Sequence, residues 1–301
     1  MPLYNKETFI GETISSVLGQ NMADFELIIV NDGSTDDSMK VVNSYTDKRL
    51  KVLNIERSGV SVARNLGMKN AQFEWIAFLD ADDWWAPEFL EEMVQAIHAY
   101  PTHDLFASGR TRVFCNREER YENPLLPQDG ECKPLNFYKV ISQYLPPINS
   151  SNSILNKKCI DNVAAFTEGQ KMHEDHDLWM RLCVDKEVVF LNKNLSFYRN
   201  TEEDSASKQY YEPLDFCIYL TTLGKVKKII SNKEMSYFNR YCNRFILINY
   251  IKNYSHYSRE EDDLVYEKAR GLLQGFHALT MSVLRKLPYK NTYPLFKMLK
   301  I

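Results

Sequence analysis

The segment Trp75-Ile76-Ala77-Phe78-Leu79-Asp80-Ala81-Asp82-Asp83-Trp84-Trp85 runs five largely apolar residues into three carboxylates within four positions, then into two tryptophans. An apolar run of strand length that ends on acids predicts a buried strand with a charged turn at its carboxyl end. The flanking chain alternates in the same manner. Upstream, Ile10, Ile14, Val17 and Leu18 recur at helical spacing, residues 25–30 form a strand-length apolar run, and Asn31-Asp32-Gly33-Ser34 is a turn signal. Ser34 with Asp37 three positions later predicts a capping box for a helix carrying Met39, Val41 and Val42. Residues 51–55 read as a strand and 61–70 as a helix. Downstream, Pro87 suits the first turn of a helix over 88–100. Strands alternating with helices at this spacing predict an α/β fold with a Rossmann-like, mostly parallel sheet flanked by helices. Ligands of such sheets bind beyond the carboxyl ends of the strands. Asp32 and the acids from Asp80 onward are therefore expected on one edge.

Bulk composition narrows the function classes. With 301 residues, 44% of them hydrophobic, the chain can bury one large domain or a core domain with an appendage. Its net charge of -3 gives no reason to expect a nucleic-acid partner. The charge is uneven: from Lys208 onward 16 Lys/Arg stand against 8 Asp/Glu, leaving 21 against 32 before it. The six cysteines show no CxxC pair and no Cys/His cluster, so a reduced, cytoplasmic protein is expected rather than a zinc site or disulfide framework. No signal peptide opens the sequence, and no run of about 18 apolar residues offers a membrane span. Residues 118–134 are polar and rich in turn formers, as a lid or acceptor loop is. Order returns at 152–155, at a helix carrying Leu178, Met180, Leu182 and Cys183, and at 188–191, and residues 210–301 read as mostly helical.

Hard cations such as Mg²⁺ and Mn²⁺ take oxygen ligands, commonly one or two carboxylates plus substrate phosphates. Asp80, Asp82 and Asp83 suit such an ion, which would also relieve the repulsion among them. Taken alone the cluster reads more readily as a solvated turn. His173-Glu174-Asp175-His176-Asp177 forms a second acidic group ahead of an amphipathic helix. A carboxylate there can serve as a general base toward a hydroxyl, or simply complement a helix N-terminus. His173 and His176 lack HExxH spacing and a further ligand. Arg64, in a helix that follows Gly59, reads either as a phosphate or base contact or as a surface residue.

Together these motifs resemble the family 2 glycosyltransferases of bacterial polysaccharide type, which are inverting enzymes of the GT-A fold. The resemblance rests on Pro2-Leu3-Tyr4-Asn5-Lys6-Glu7, Ser16-Val17-Leu18-Gly19-Gln20, FELIIVNDGSTD from Phe25, GVSVARNLG from Gly59 and IAFLDADD from Ile76. It resumes at Glu174-Asp175 with Leu178-Trp179-Met180-Arg181-Leu182 and, more faintly, at Tyr198-Arg199. It implies a catalytic, nucleotide-sugar-binding GT-A domain over 1–207 and a helical C-terminal appendage over 208–301. It implies that Tyr4, Asn5 and Asp32 lie at the base, Arg64 near the nucleotide and Asp80 near the ribose. Asp82 is implied to hold the Mn²⁺ or Mg²⁺ that bridges the diphosphate. The resemblance also implies that Glu174 and Asp175 form the catalytic pair, with Asp175 as base. The implied substrates are a nucleotide sugar, with UDP as the expected nucleotide, and a saccharide or lipid-linked acceptor. Trp84 and Trp85 are expected either at the sugar pocket or packed on the following helix.

The chain departs from the pattern in places. Family members carry a strand ahead of the Pro-x-Tyr-Asn motif, and here Met1-Pro2 begins the sequence, so this first strand is expected to be missing. Asn31, His173 and Asn200 stand where the family often has aspartate, glycine and a nearby histidine. Residues 282–301 mix bases (Arg285, Lys286, Lys290, Lys297, Lys300) with apolar side chains. That composition suits peripheral contact with the inner face of the plasma membrane, and equally a helical appendage packing on the body or on a second subunit as a homodimer. Two rival functions stand beside the transferase. A haloacid-dehalogenase-type phosphatase also has a DxD after a strand but a different residue following it. A non-catalytic nucleotide-binding or assembly protein derived from this fold is the other.

Overall fold

A computed structural model of the chain describes residues 1–161, 165–200 and 211–286. It begins with β1 (Pro2–Leu3), α1 (Ile10–Leu18), β2 (Leu27–Asp32), α2 (Ser38–Val42), β3 (Leu50–Ile55) and α3 (Val60–Asn70). The three strands form a wholly parallel sheet in the order β1-β2-β3. Every residue of β2 is buried, because both of its faces are covered. Leu27 and Ile29 share a cluster with Ile10, Ile14 and Val17 of α1, while Ile28 and Val30 pack with Ala63 of α3. This is the period-2 alternation of a strand meeting the 3.6-residue stripe of a helix on either side.

Here the expectation of a missing first strand is corrected. Pro2 and Leu3 pair with Val30 and Asn31 in parallel register. The Met1 ammonium donates to the Ile28 carbonyl at 3.0 Å, and the Met1 carbonyl accepts from Val30 N at 2.9 Å. Two residues are too few to show a period, so the strand was invisible to pattern. The Ser34 capping box does not form either. The Asp37 N-cap of α2 makes no side-chain capping bond, and Ser34 Oγ instead accepts from Asn5 N.

The chain continues through β4 (Trp75–Ala77), β5 (Trp84–Trp85), α4 (Phe89–Ala99), β6 (Leu105–Val113), β7 (Glu118–Arg120), β8 (Cys132–Asn136), α5 (Phe137–Ile141), β9 (Ser153–Asn156), α6 (Lys158–Asp161), α7 (Glu174–Leu182) and β10 (Glu187–Arg199). These strands make a second, mixed sheet in the order β4-β9-β6-β10-β5, with β7 on β6 and β8 on β10. Its longest ladder, β6 to β10, is parallel; the shorter ones are antiparallel. The polar stretch over 118–134, expected as a loop, supplies β7 and the start of β8.

Four helices close the described chain: α8 (Pro213–Ile229), α9 (Asn232–Asn253), α10 (Arg259–Ala269) and α11 (Gly275–Leu284). Phe216, Tyr219, Phe238 and Tyr241 from these helices lie in the same buried cluster as Ile76, Phe78, Leu105, Leu178 and Trp179. The helical region and the second sheet thus bury one continuous apolar core. No helix of the described residues is long and apolar enough to cross a membrane. Lys290, Lys297 and Lys300 lie outside the described residues.

Candidate functional site

The carboxyl ends of β1, β2 and β4 meet the start of α7 at one rim. Asn5, in the left-handed region at φ 49°, turns the chain after β1. Its side chain accepts from Thr35 N at 2.8 Å and donates to Thr35 Oγ1 at 3.2 Å, joining the turn after β1 to the one after β2. Asp32 ends β2 and is almost fully buried. Its carboxylate accepts from the backbone N–H groups of Ser58 at 2.6 Å and Gly59 at 2.9 Å. It also accepts from the guanidinium of Arg57, which lies over the Tyr4 ring, 3.5 Å from the centroid. Tyr4, Asp32 and Arg57 therefore form a single cluster.

Arg64, on α3, holds the two acidic segments together. Its side chain is only 3% exposed, and it binds Asp80 at 2.6 Å through Nη2 and Glu174 at 2.7 Å through Nη1. Burial opposes its charge, but the two carboxylates more than offset that and push its pKa up. Burial outweighs the pull of Arg64 and, with the charge of Asp175 adding to the rise, brings Glu174 to about 7. Asp175, partly exposed in the first turn of α7, accepts from its neighbour His176 N at 2.7 Å. Asp177 is buried and engaged by Thr167 at 3.0 Å and by Arg181 at 2.7 Å. Three acids of one segment thus face different partners, and Asp175 alone carries no side-chain ion pair among the described contacts.

The triple-acid turn divides similarly. Asp82 is paired with Lys6 at 2.7 Å, both side chains 28% exposed. Asp83 points inward, where it accepts from Ser151 Oγ and, at 3.0 Å, from Arg199 N. Burial, then the charges of Asp82 and Asp80, raise its pKa well above the carboxylate range. This corrects the reading of Asp83 as a metal ligand: it is a fully buried brace between β4, the Ser151 turn and β10. Asp80 and Asp82 remain as hard oxygen donors. Among the described residues no group of three or more His, Cys, Asp or Glu gathers to hold a metal, so this donor set fits Mg²⁺ or Mn²⁺ with phosphate oxygens and waters completing the shell.

The tryptophans separate as well. Trp85 is buried, stacked on Phe89 of α4 at 4.1 Å, and donates from Nε1 to Ser151 O at 2.7 Å. Trp84 stacks on Phe197 at 5.4 Å and lies 4.5 Å beneath the Arg199 guanidinium, whose Nε donates to Asp82 O at 3.0 Å. His173 and His176 lie 5.0 Å apart, with the His173 ring packed against Tyr211, Tyr219 and Phe245. Sequence reasoning had not singled out Lys6, Arg57 or Ser151. Lys6 lies inside the first quoted motif and Arg57 two positions ahead of Gly59, which was the available signal; Ser151 had none.

Comparison with known proteins agrees with this geometry. The family model described as Glycosyl transferase family 2 matches residues 1–153. The chain is 42% identical over 131 residues, 43% of this chain and 36% of the relative, to the putative glycosyltransferase EpsH of Bacillus subtilis (strain 168). It is 28% identical over 215 residues, 70% of this chain and 80% of the relative, to the UDP-Glc:alpha-D-GlcNAc-diphosphoundecaprenol beta-1,3-glucosyltransferase WfgD of Escherichia coli. Across EpsH and three other curated relatives the chain spans 30% to 56% of the relative's length. The crystal structure of S. aureus TarS 1-349 in complex with UDP-GlcNAc superposes with a TM-score of 0.76 at 21% identity, over 98% of this chain and 90% of that one. The fold is therefore the GT-A-type α/β arrangement with its helical C-terminal region. Since the family match takes in just over half of the 301 residues and its motifs converge on one rim, the chain belongs to glycosyl transferase family 2.

Proposed function

We propose that this chain transfers a sugar from a nucleoside diphosphate, UDP, to a hydroxyl of a saccharide or lipid-linked acceptor with inversion, in the synthesis of polysaccharide or cell-surface glycan. The observation that carries the reading is the buried Arg64 bridge, which draws Asp80 after β4 and Glu174 at the start of α7 onto one guanidinium. This leaves Asp175 beside the acids that would face the diphosphate. The presence of UDP-GlcNAc in the similar TarS structure and the undecaprenol-linked acceptor in the name of WfgD support the substrate classes.

In this reading Tyr4 stacks on the base, Asn5 shapes its pocket and Asp32 accepts from its N–H. Arg57 leaves its present place over Tyr4 to admit it. Asp80 lies toward the ribose. Asp82 releases Lys6 and, with Asp80, would hold a Mn²⁺ or Mg²⁺ ion. Such an ion supplies Lewis-acid stabilisation of the negative charge on the departing diphosphate. Asp175 takes the acceptor proton as the hydroxyl oxygen attacks the anomeric carbon from the face opposite the leaving group. One displacement inverts that carbon with no covalent enzyme intermediate. Glu174, tied to Arg64, positions the start of α7 rather than moving a proton.

Peripheral attachment to the inner face of the membrane belongs to the same proposal. Phe276, Leu279 and Val283 are exposed at helical spacing on α11, and the sequence that follows carries lysines and no acid, a pairing that suits an anionic leaflet.

The test is calorimetric titration of UDP, GDP and CDP with and without Mn²⁺, joined to turnover of UDP-sugars by wild type and Asp175→Asn. Metal-dependent binding of UDP, and a loss of turnover of about a thousandfold in Asp175→Asn with UDP binding kept, are expected. Full turnover in Asp175→Asn would overturn the role of the base. Absence of binding by any nucleotide would overturn the transferase reading and favour a non-catalytic assembly protein.

A further inference from the structure

We infer that Asp215, on the first turn of α8, is a positioning residue for the base: it holds the loop that launches α7 and thereby makes the C-terminal helices part of the catalytic machinery. The inference rests on the assignment of Asp175 as base.

The backbone around the base is not self-supporting. His173, the N-cap of α7, sits at φ 58° and ψ 25° and makes no side-chain capping bond. A left-handed conformation is costly for a residue with a Cβ and persists only where the surroundings enforce it. Within this loop, Gln170 Nε2 donates to Met172 O at 2.9 Å. Arg64 on α3 holds the Glu174 carboxylate at 2.7 Å, and Asp177 N donates to His173 O at 2.8 Å; further restraints on residues 171–173 come from the helical region. Both oxygens of Asp215 are spent on consecutive backbone amides: Lys171 N donates to Oδ1 at 2.8 Å and Met172 N donates to Oδ2 at 2.9 Å. The His173 ring is then boxed by Tyr211 at 4.9 Å, Tyr219 at 5.8 Å and Phe245 at 5.2 Å.

An acid in the first turn of a helix has an ordinary explanation, since it complements the dipole of its own helix. Asp215 is only 4% exposed, however, and among the described residues no side-chain cation pairs with it: the nearby Lys171 ammonium goes to Glu212 at 3.0 Å. A carboxylate buried without a cation is retained where its hydrogen bonds satisfy it. Here those bonds go to the loop, two and three residues ahead of Glu174 and three and four ahead of Asp175. The carboxylate thus sets where the left-handed turn begins, and the turn sets where Asp175 projects. A displacement of about 1 Å at a reacting group can cost on the order of a hundredfold in rate.

The test compares wild type, Asp215→Asn, Asp215→Ala and Asp175→Asn by UDP calorimetry and steady-state turnover at saturating donor and acceptor. Asp215→Asn keeps one acceptor oxygen and puts an N–H against the other amide. It is expected to lower kcat roughly tenfold, and Asp215→Ala further, with the UDP Kd within about twofold of wild type. A merely structural carboxylate would lower the melting temperature and leave kcat per folded molecule unchanged, which would overturn the inference. Should Asp175→Asn abolish turnover while both Asp215 variants keep full kcat, the clamp alone fails. Should Asp175→Asn keep its turnover, the base assignment fails. Amide exchange in the wild-type chain provides a measurement independent of folding defects in variants. Lys171 and Met172 amides are expected to exchange with the slow rate of α8, and fast exchange beside a protected α8 would refute the clamp.

Discussion

Three aspartates within four positions are tolerable because they meet different surroundings. Asp80 faces Arg64, Asp82 faces Lys6, and Asp83 is withdrawn into the protein against Ser151 and Arg199. Their consequences should differ accordingly. Asp82→Asn is expected to remove the Mn²⁺-dependent part of UDP binding. Asp83→Asn, which preserves the shape of a carboxyl whose pKa is already raised, should leave it within about threefold. Equal losses in the two variants would contradict the division. Arg57 offers a second residue-scale case, because its guanidinium occupies both the Tyr4 face and the Asp32 carboxylate that a base would use. Removing a half-exposed cation of this kind releases a competitor worth about 1 kcal/mol, so Arg57→Ala should tighten UDP binding roughly fivefold by calorimetry. Weaker binding would mean that Arg57 stays on the bound base. The motif acids were legible in the sequence because their chemistry is encoded in type and spacing. Their present partners were not, because Lys6 and Arg57 resemble any surface base until the fold turns them inward.

At the scale of elements, period decided what could be read. The helices α1, α3 and α4 and the strand β2 bury regular stripes, and β3 packs partly buried apolar side chains on both faces, so their patterns announced them within a few residues. The long strand β10 did not, since only its first half is an apolar run. Its second half buries Ser196, with Asn194 bonded to Thr111 across the ladder, and polar residues satisfied in a sheet interior look like a loop in sequence. The same region holds a close approach of backbone to backbone. The register of β10 on β6 shifts between Leu191 and Asn194, and the displaced Lys193 carbonyl lies only 2.6 Å from where a Cβ on Gly109 would stand. Backbone cannot yield that distance as a flexible side chain could. Gly109→Ala is therefore expected to destabilise the fold by about 2–4 kcal/mol, read as a lowered urea midpoint. An unchanged midpoint would show that the bulge can slide.

For the molecule as a whole, the base loop carries a partly buried histidine and a partly buried glutamate whose titrations oppose each other. Burial, then the neighbouring His176, lowers the His173 pKa from 6.5 to about 3. Between those values the unfolded chain binds a proton that the folded chain refuses, so stability rises with pH by up to about 1.4 kcal/mol per unit. Glu174 runs the other way. With its pKa raised from 4.5 to about 7, the folded chain keeps a proton that the unfolded chain has lost, and stability falls as pH climbs through that window. The two slopes cancel between about pH 4.5 and 6.5, and each should emerge when the other is removed. His173→Asn, which suits the left-handed turn, is expected to lose the acid-side slope, so that its melting temperature relative to wild type falls as pH rises from 3 to 6.5. Glu174→Gln, which keeps a hydrogen-bond acceptor for Arg64, should gain on wild type as pH rises from 4.5 to 7. Parallel melting curves for all three proteins across that range would mean that the loop opens to water, and that the helical region does not seal the base against the core it shares with the second sheet.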